Sequence, residues 1–339
     1  MPKNIVIFSD GTGQEGGKGS STNIYKLFNM VEDRTLKQIS FYDRGLGTGW
    51  QKFSGNVGGA GISQNILDCY TFIFDHYEAG DQLFLFGFSR GAATVRSLSS
   101  FIHYFGILPK SRPELIKKAY SIYKTKDDSE RKQKADEFLS SHHTMWTRIK
   151  FLGCYDTVAA LGLPIKPIAV VLDKIPGFMH TFHNFKLSET VENAYQALAI
   201  DDERQTFHPI LWDTDVLPYQ TICQVWFCGM HTDVGGGYDE KELSDIPLAW
   251  MRDKAVAHGL LLYSGHSVSI NGNVNGHMHN SRGKGWTKLY KRKPRAWDSS
   301  RTDKPVVHSS VLQRTKNVDN ADAPPYAPWI LAIDHEIEP

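Results

Sequence analysis

Gly87-Phe88-Ser89-Arg90-Gly91 sets a hydroxyl between two glycines. An apolar run, Gln82 to Phe86, precedes it, and Ala92-Ala93-Thr94-Val95-Arg96 opens a helical pattern after it. Strand, Gly-x-Ser-x-Gly and helix together form the context of a nucleophile elbow. A serine on so tight a turn leaves no room for side chains two residues away, and glycine at 87 and 91 removes the Cβ atoms that would collide. The helix turns its first N–H groups and positive dipole end toward the serine, where a developing oxyanion can use them. Alone, the pentapeptide fits a glycine-flanked turn equally well, so the reading depends on partners.

A serine hydroxyl is a poor nucleophile until a base takes its proton and a third group orients that base. An acid and a histidine follow in the chain order used by α/β-hydrolases. Lys150 to Tyr155 ends at Asp156-Thr157-Val158, and Gln224 to Met230 ends at His231-Thr232-Asp233, followed by Gly235-Gly236-Gly237. Each also has a plainer account. Asp156 could cap a helix, and His231 could bond a loop. Asp233 competes with Asp156 to orient His231, or instead organises the glycine loop. An oxyanion hole needs two N–H donors, one from Arg90 and one from the Ser9-Asp10-Gly11-Thr12-Gly13 turn, through Gly11 or Thr12. A simple strand-to-helix turn is the alternative there.

Asp10, Arg44, Asp233 and His308 are candidates for the substrate pocket, Arg44 through the second glycine-rich loop, Asp43 to Trp50. A surface turn explains that loop equally well, and a structural role explains His308. Asp10, His231 and Asp233 also form a reasonable set of hard-metal ligands, so a metal-dependent hydrolase or phosphatase is the competing enzyme reading. A binding module that no longer turns over is the third reading. Gly11 to Gly16 spells Gly-x-Gly-x-x-Gly, but Gly17, Lys18, Gly19 and two serines delay the helix to about Thr22, which a dinucleotide fold does not allow. Gly17-Lys18 fails as a phosphate loop because Gly19 stands where Ser or Thr is needed.

Positioning these groups falls to short apolar runs that alternate with helical patterns. Ile5–Phe8, Gln38–Tyr42, Gln82–Phe86, Ile149–Tyr155 and Ile222–Met230 read as strands. Thr22–Val31, Ile62–Tyr77 and Ala92–Phe105 read as helices. The pattern predicts an α/β fold with a mostly parallel sheet flanked by helices. Polar clusters at the strands' carboxyl ends are where such sheets bind ligands. We expect a single domain over 1–339, a helical insertion at 109–146, a proline-punctuated cap or lid at 157–220, and a basic loop-like segment at 281–304. Within the cap, Phe178, Met179, Phe182 and Phe185 could face lipid but are expected to pack onto the domain. In the basic segment, Lys284, Lys288, Lys291, Arg292, Lys293 and Arg295 read as solvated surface, with an anionic head group as the alternative partner.

The 339 residues carry a formal charge of +1 and 41% hydrophobic residues, which gives no electrostatic bias toward nucleic acid. No apolar stretch has the length of a membrane span, and the N-terminus lacks a secretory signal. Synthesis in the cytoplasm is therefore expected, with export by a dedicated secretion system left open. The four cysteines, Cys69, Cys154, Cys223 and Cys228, match no zinc pattern and read as reduced thiols.

Five segments in order resemble one α/β-hydrolase family, a poorly characterised one that includes the type VI secretion phospholipase effectors of the first lipase class. They are Phe8 to Gly13, Tyr42 to Thr48, Gly87 to Ala93, Gly153 to Val158 and Gly229 to Tyr238. The resemblance runs from residue 4 to about 240, with weaker echoes at Ala197–Trp212 and His308–Arg314. It implies an α/β-hydrolase-like fold and a serine esterase or lipase acting on lipid or phospholipid acyl esters. By it Ser89 is nucleophile, His231 general base and Asp156 the orienting acid, with no cofactor or metal required. A small ester or lipid is the implied partner, with transient contact to a membrane surface. Arg44 stands where many relatives have proline, and Cys154-Tyr155 where Val-Trp is commoner. Beside the effector lipases of that family, the chain is expected to be compact and without their large added membrane-binding regions.

Overall fold

Among the described residues, eight strands form one sheet: β1 (Asn4–Ser9), β2 (Gln38–Asp43), β3 (Gln82–Phe88), β4 (Ile149–Tyr155), β5 (Asn193–Ala199), β6 (Thr221–Phe227), β7 (Val306–His308) and β8 (Glu336–Glu338). The computed structural model describes residues 2–11, 20–45, 57–158, 186–283, 285–316 and 325–339. The strand order is β2-β1-β3-β4-β5-β6-β7-β8, and every neighbouring pair is parallel. Because β1 pairs with β2 on one side and β3 on the other, the crevice beyond the carboxyl ends of β1 and β3 is the topological switch point of the sheet.

The helices are α1 (Asn23–Met30), α2 (Val57–His76), α3 (Arg90–Phe105), α4 (Glu114–Tyr123), α5 (Asp128–Ser141), α6 (His231–Gly235), α7 (Glu242–Ala257) and α8 (Ser309–Lys316). Successive strand residues point to opposite faces, and both faces are covered. Ile5, Ile7, Leu83, Leu85, Leu152 and Cys154 pack against α2 to α5. Val6, Phe8, Phe84, Phe86, Phe151 and Tyr155 pack against α1 and α7. Burial on both sides is why these strands read as continuous apolar runs rather than alternating ones. Residues 109–146 contain α4 and α5, whose Leu115, Ala119, Tyr123 and Phe138 share a cluster with Phe101 and Phe105 of α3. Thr22 caps α1 by accepting from the Tyr25 N–H at 3.1 Å.

The expected cap over 157–220 needs correction, because β5 lies inside it and sits between β4 and β6. Asn-Ala-Tyr-Gln-Ala-Leu-Ala contains no β-branched residue, so propensity argues against a strand. Tertiary context overrides this: all seven residues are buried, and the amide of Gln196 is bonded to Ile210 O and Gln224 Oε1, both at 3.1 Å. Residues 159–185, with Phe178, Met179, Phe182 and Phe185, lie outside the described residues. The described part of 281–304 is irregular apart from a 3-10 turn at Gly285–Leu289 and an antiparallel bridge between Arg292 and Arg204; Lys284 lies outside the described residues. Among the described residues no helix is long and apolar enough to cross a membrane. All four cysteines are free, Cys69, Cys154 and Cys228 being buried.

Candidate active site

Ser89 joins β3 to α3 with φ 58° and ψ −118°, a left-handed conformation that costs a non-glycine residue energy and is held by its surroundings. The two flanking glycines are obligatory here. A Cβ on Gly87 would lie 2.4 Å from Gly91 O, and one on Gly91 would lie 2.0 Å from Ser9 O. The elbow is thus pressed against the end of β1. The amides of Arg90, Gly91 and Ala92 open α3 and have no acceptor within the helix.

Asp156 follows β4 and is also left-handed, with φ 42°. It does not cap a helix. Its Oδ1 accepts from Ala199 N at 3.0 Å and Arg295 Nη1 at 2.7 Å. Its Oδ2 accepts from Arg295 Nη2 at 2.8 Å and meets His231 Nδ1 at 2.5 Å. Burial alone would raise this carboxyl, but the Arg295 charge and hydrogen bonds, aided by His231, outweigh it and hold the group well below the usual carboxylate range.

His231 is the first residue of α6, beyond β6. Its Nε2 lies 2.8 Å from Ser89 Oγ. An ionised carboxylate can only accept, so Nδ1 carries the proton and Nε2 accepts from the hydroxyl. The ring packs between Phe88, 4.7 Å between centroids, and the edge of Phe207 at 5.1 Å. Burial lowers its pKa below the ordinary histidine value, with Asp156 opposing in part. At neutral pH the imidazole is therefore a free base.

The loops that carry these groups extend the sheet's hydrogen bonding past the strand ends. Ser89 N bonds Tyr155 O at 3.0 Å, Asp156 N bonds Ala197 O at 2.8 Å, and Ile200 N and Asp201 N bond Phe227 O and Gly229 O at 3.0 Å each.

The oxyanion expectation changes in one respect. Gly11 sits beside the serine, since a Cβ there would be 3.5 Å from Ser89 Cβ. Its N–H, however, is already taken by the side chain of the preceding residue, Asp10 Oδ1, at 2.7 Å. Thr12 lies outside the described residues. Asp10 is buried, also accepts from Thr22 Oγ1 at 2.6 Å and Tyr42 Oη at 2.7 Å, and is pushed up to about 6 by burial, with those bonds opposing. The Arg90 guanidinium is pulled down to about 10 by burial, and its Nη1 has no partner among the described residues.

Two further expected residues, Asp233 and His308, are engaged by other partners. Asp233 accepts from Met230 N at 3.1 Å and from His279 N at 3.0 Å, and meets His279 Nδ1 at 2.6 Å, so it ties the 229–233 turn to His279. His308 stacks on Phe227 at 4.7 Å and meets Ser310 Oγ at 2.8 Å; burial pulls it down to about 4. Arg44 is exposed at the end of β2. The competing ligand set of Asp10, His231 and Asp233 also fails to converge. Both His231 nitrogens are engaged by Asp156 and Ser89, while the two carboxylates bind separate partners. Among the described residues no group of three His, Cys, Asp or Glu side chains could hold a metal ion.

Arg295 is the residue sequence reasoning missed and misplaced. It is 2% exposed, not solvated surface, because its guanidinium passes inward to Asp156 from an otherwise exposed stretch. Nothing in the run of basic residues singles it out. Asp202 and Arg204 were missed with β5. Asp202 accepts from His231 N at 3.3 Å and pairs with Arg204 through two bonds, at 3.0 and 2.6 Å.

A parallel sheet with a serine elbow at its switch point defines an α/β-hydrolase-like protein. Residues 3–254 match the family described as T6SS, phospholipase effector Tle1-like, catalytic domain, and the chain belongs to that family. It is 27% identical over 299 residues to the uncharacterised protein YEL023C of Saccharomyces cerevisiae, covering 79% of this chain and 40% of that one. Among solved structures it is similar to an uncharacterised protein from Pseudomonas aeruginosa, with TM-score 0.49, 15% identity and coverage of 77% of this chain and 46% of that one. It is also similar to the Tle1 effector bound to the VgrG spike of the type 6 secretion system, with TM-score 0.39, 21% identity and coverage of 71% and 52%. A thermophilic esterase from Thermogutta terrifontis is similar at TM-score 0.39 and 13% identity, over 77% of this chain and 85% of that one. The chain thus spans under half of the yeast protein and about half of the Tle1 chain.

Proposed function

We infer that the protein is a serine hydrolase of carboxylic esters, acting on lipid or phospholipid acyl chains. The observation that carries this reading is the unbroken contact from Ser89 Oγ through the His231 imidazole to Asp156. Ser89 Oγ attacks the acyl carbonyl carbon while its proton passes to His231 Nε2. The resulting oxyanion is held by the Arg90 amide, the first of α3; the Gly11 amide is occupied by Asp10. His231 then gives the proton to the departing alkoxide, which leaves as the alcohol. Water, deprotonated by the same nitrogen, attacks the acyl-enzyme; the acid departs and Ser89 recovers its proton. Asp156 stays ionised throughout and stabilises the imidazolium.

Membership of a phospholipase effector family supports a lipid ester as substrate. The surface that would meet a lipid aggregate is the 3-10 turn, where Leu289 is 67% exposed between Lys288 and Lys291. Cytoplasmic synthesis with export by a dedicated machine is the matching proposal for where it acts.

The test is labelling with a fluorophosphonate followed by peptide mapping, with hydrolysis of p-nitrophenyl butyrate and of phospholipid vesicles measured alongside. Modification at Ser89 is expected, and Ser89→Ala should lower turnover roughly 10⁴- to 10⁶-fold without loss of fold. A folded Ser89→Ala protein that still hydrolyses these esters at wild-type rate sinks the mechanism.

A further inference from the structure

The proposed reaction requires an ionised carboxylate at a position where burial favours the neutral acid. Asp156 and Arg295 side chains are 0% and 1% exposed. The guanidinium meets the carboxylate end-on, each terminal nitrogen on its own oxygen. The same nitrogens also donate to Ala199 O, the last residue of β5, and to Phe207 O, whose ring packs on His231. The Arg295 plane is therefore fixed by the strand and turn that border the imidazole. All four bonds use Nη1 and Nη2; the buried Nε has no partner among the described residues.

This arrangement is a poor device for stability. A buried ion pair is often no better than apolar side chains of similar volume, and an unpaired buried donor is costly. It is well suited to holding one carboxylate in one orientation. Resting on the ester-hydrolase reading above, we propose that Arg295 is a positioning residue of the reaction, which locks the Asp156 carboxylate toward His231 and moderates the negative charge that the imidazole feels. Because it lies beyond residue 254, where the family match ends, the working site of this chain includes a side chain outside that match.

The charges around the pair fix the sign of the effect. His231 faces Asp156, Arg204 and Asp202. Asp156 faces Arg295 and His231. Arg295 faces Asp156, Asp202 and Asp201. Asp202 is neutralised by Arg204 at 2.6 Å. Removing Arg295 leaves the Asp156 charge without its cation and makes the imidazolium easier to form. The acid limb of kcat/KM must then move to higher pH, by about one unit, the lower end of what one nearby charge produces.

The experiment follows p-nitrophenyl butyrate hydrolysis from pH 5 to 9 in the full chain, with thermal unfolding measured in parallel. Arg295→Met is expected to lower kcat about 10- to 100-fold, the scale of a small misplacement, to leave KM within about two-fold, and to raise the acid limb. Arg295→Lys should return the limb toward wild type while kcat stays low, since one ammonium cannot make the two-pronged contact. Arg295→Ala should regain activity in millimolar guanidinium. Arg295 borders a cleft of about 820 Å³ with His208, Lys293 and Arg301, and truncation to alanine would open the guanidinium position toward it.

A folded Arg295→Met protein with wild-type kcat and limb overturns the proposal, as does an Arg295→Ala protein that is folded and unresponsive to guanidinium. If Arg295→Met does not fold, Arg295→Lys decides: an unchanged kcat overturns the role. Phosphonylation of Ser89 in the wild type separates the outcomes. If it occurs, these results bear on Arg295 alone; if it does not, the ester-hydrolase reading itself has failed.

Discussion

Asp156→Asn separates orientation from mere burial more sharply than any other change at this site. Four N–H groups converge on the two carboxylate oxygens: Ala199 N and Arg295 Nη1 on one, His231 Nδ1 and Arg295 Nη2 on the other. An amide offers one accepting oxygen. Whichever way it is turned, its NH₂ confronts two of those donors. Arg295 cannot give up its protons, so relief comes at His231, which moves its proton from Nδ1 to Nε2. The nitrogen that should receive the Ser89 proton then carries one already. A loss of about 10⁴ in kcat is expected, or about 5.5 kcal/mol of transition-state stabilisation. The same change leaves the Arg295 cation buried without its anion, which should cost about 3–5 kcal/mol of stability. The assay is the rate of Ser89 phosphonylation and of ester turnover at pH 7.5, with unfolding followed in urea. Combining Asp156→Asn with Arg295→Met should recover part of the stability and none of the activity, giving a coupling of a few kcal/mol between the two sites. An Asp156→Asn protein that unfolds like wild type and retains kcat within ten-fold refutes the tautomer argument.

Three other outcomes follow from the geometry. Gly91→Ala places a methyl 2.0 Å from the Ser9 carbonyl oxygen, so at least about 1–3 kcal/mol of stability should be lost, together with Ser89 labelling; normal labelling and an unchanged melting temperature would contradict the elbow. Asp10 has its pKa raised from 3.8 to about 6 on folding, so its ionisation opposes folding as pH rises through that window, and below pH 4 it contributes no penalty. Asp10→Asn should therefore be more stable than wild type by roughly 2–3 kcal/mol above pH 6 and equal to it near pH 4, and a gain that does not depend on pH would disprove the burial argument. Leu289→Asp should weaken hydrolysis of anionic vesicles several-fold while leaving p-nitrophenyl butyrate turnover unchanged; equal loss on both substrates would remove the 3-10 turn from lipid contact.

The strands that carry Ser89 and Asp156 were legible because they are buried on both faces and so spell nearly unbroken apolar runs; the one before His231 is buried only over Val225 to Phe227. β5 was not, because Ala194, Ala197 and Ala199 fit a crowded centre of the sheet by being small, and smallness is no strand signal. With it went Asp202, Arg204 and Phe207, which border the imidazole. The Gly11 amide was misread through a local effect: an aspartate directly before a glycine can capture the next N–H, and Asp10 does so. Arg295 was illegible for a different reason. Its neighbours Lys293, Pro294 and Ala296 are exposed, and only a three-dimensional crossing turns one member of a basic run inward. Ser89, Asp156 and His231 declared themselves through their positions at strand ends; the groups that hold them steady did not.

The backbone bonds that run on from strand to loop at Ser89, Asp156, Ile200 and Asp201 make the proposed nucleophile and its orienting acid part of one stiff plate. Such a plate has little freedom to reshape itself for a different acyl chain or leaving group, because altering one rung disturbs its neighbours. On the proposed reaction, a change of substrate is thereby steered away from the rungs and into the connections in front of them, which can be exchanged without retuning the site. Amide hydrogens at those four positions should accordingly persist in heavy water as long as those of the central strands.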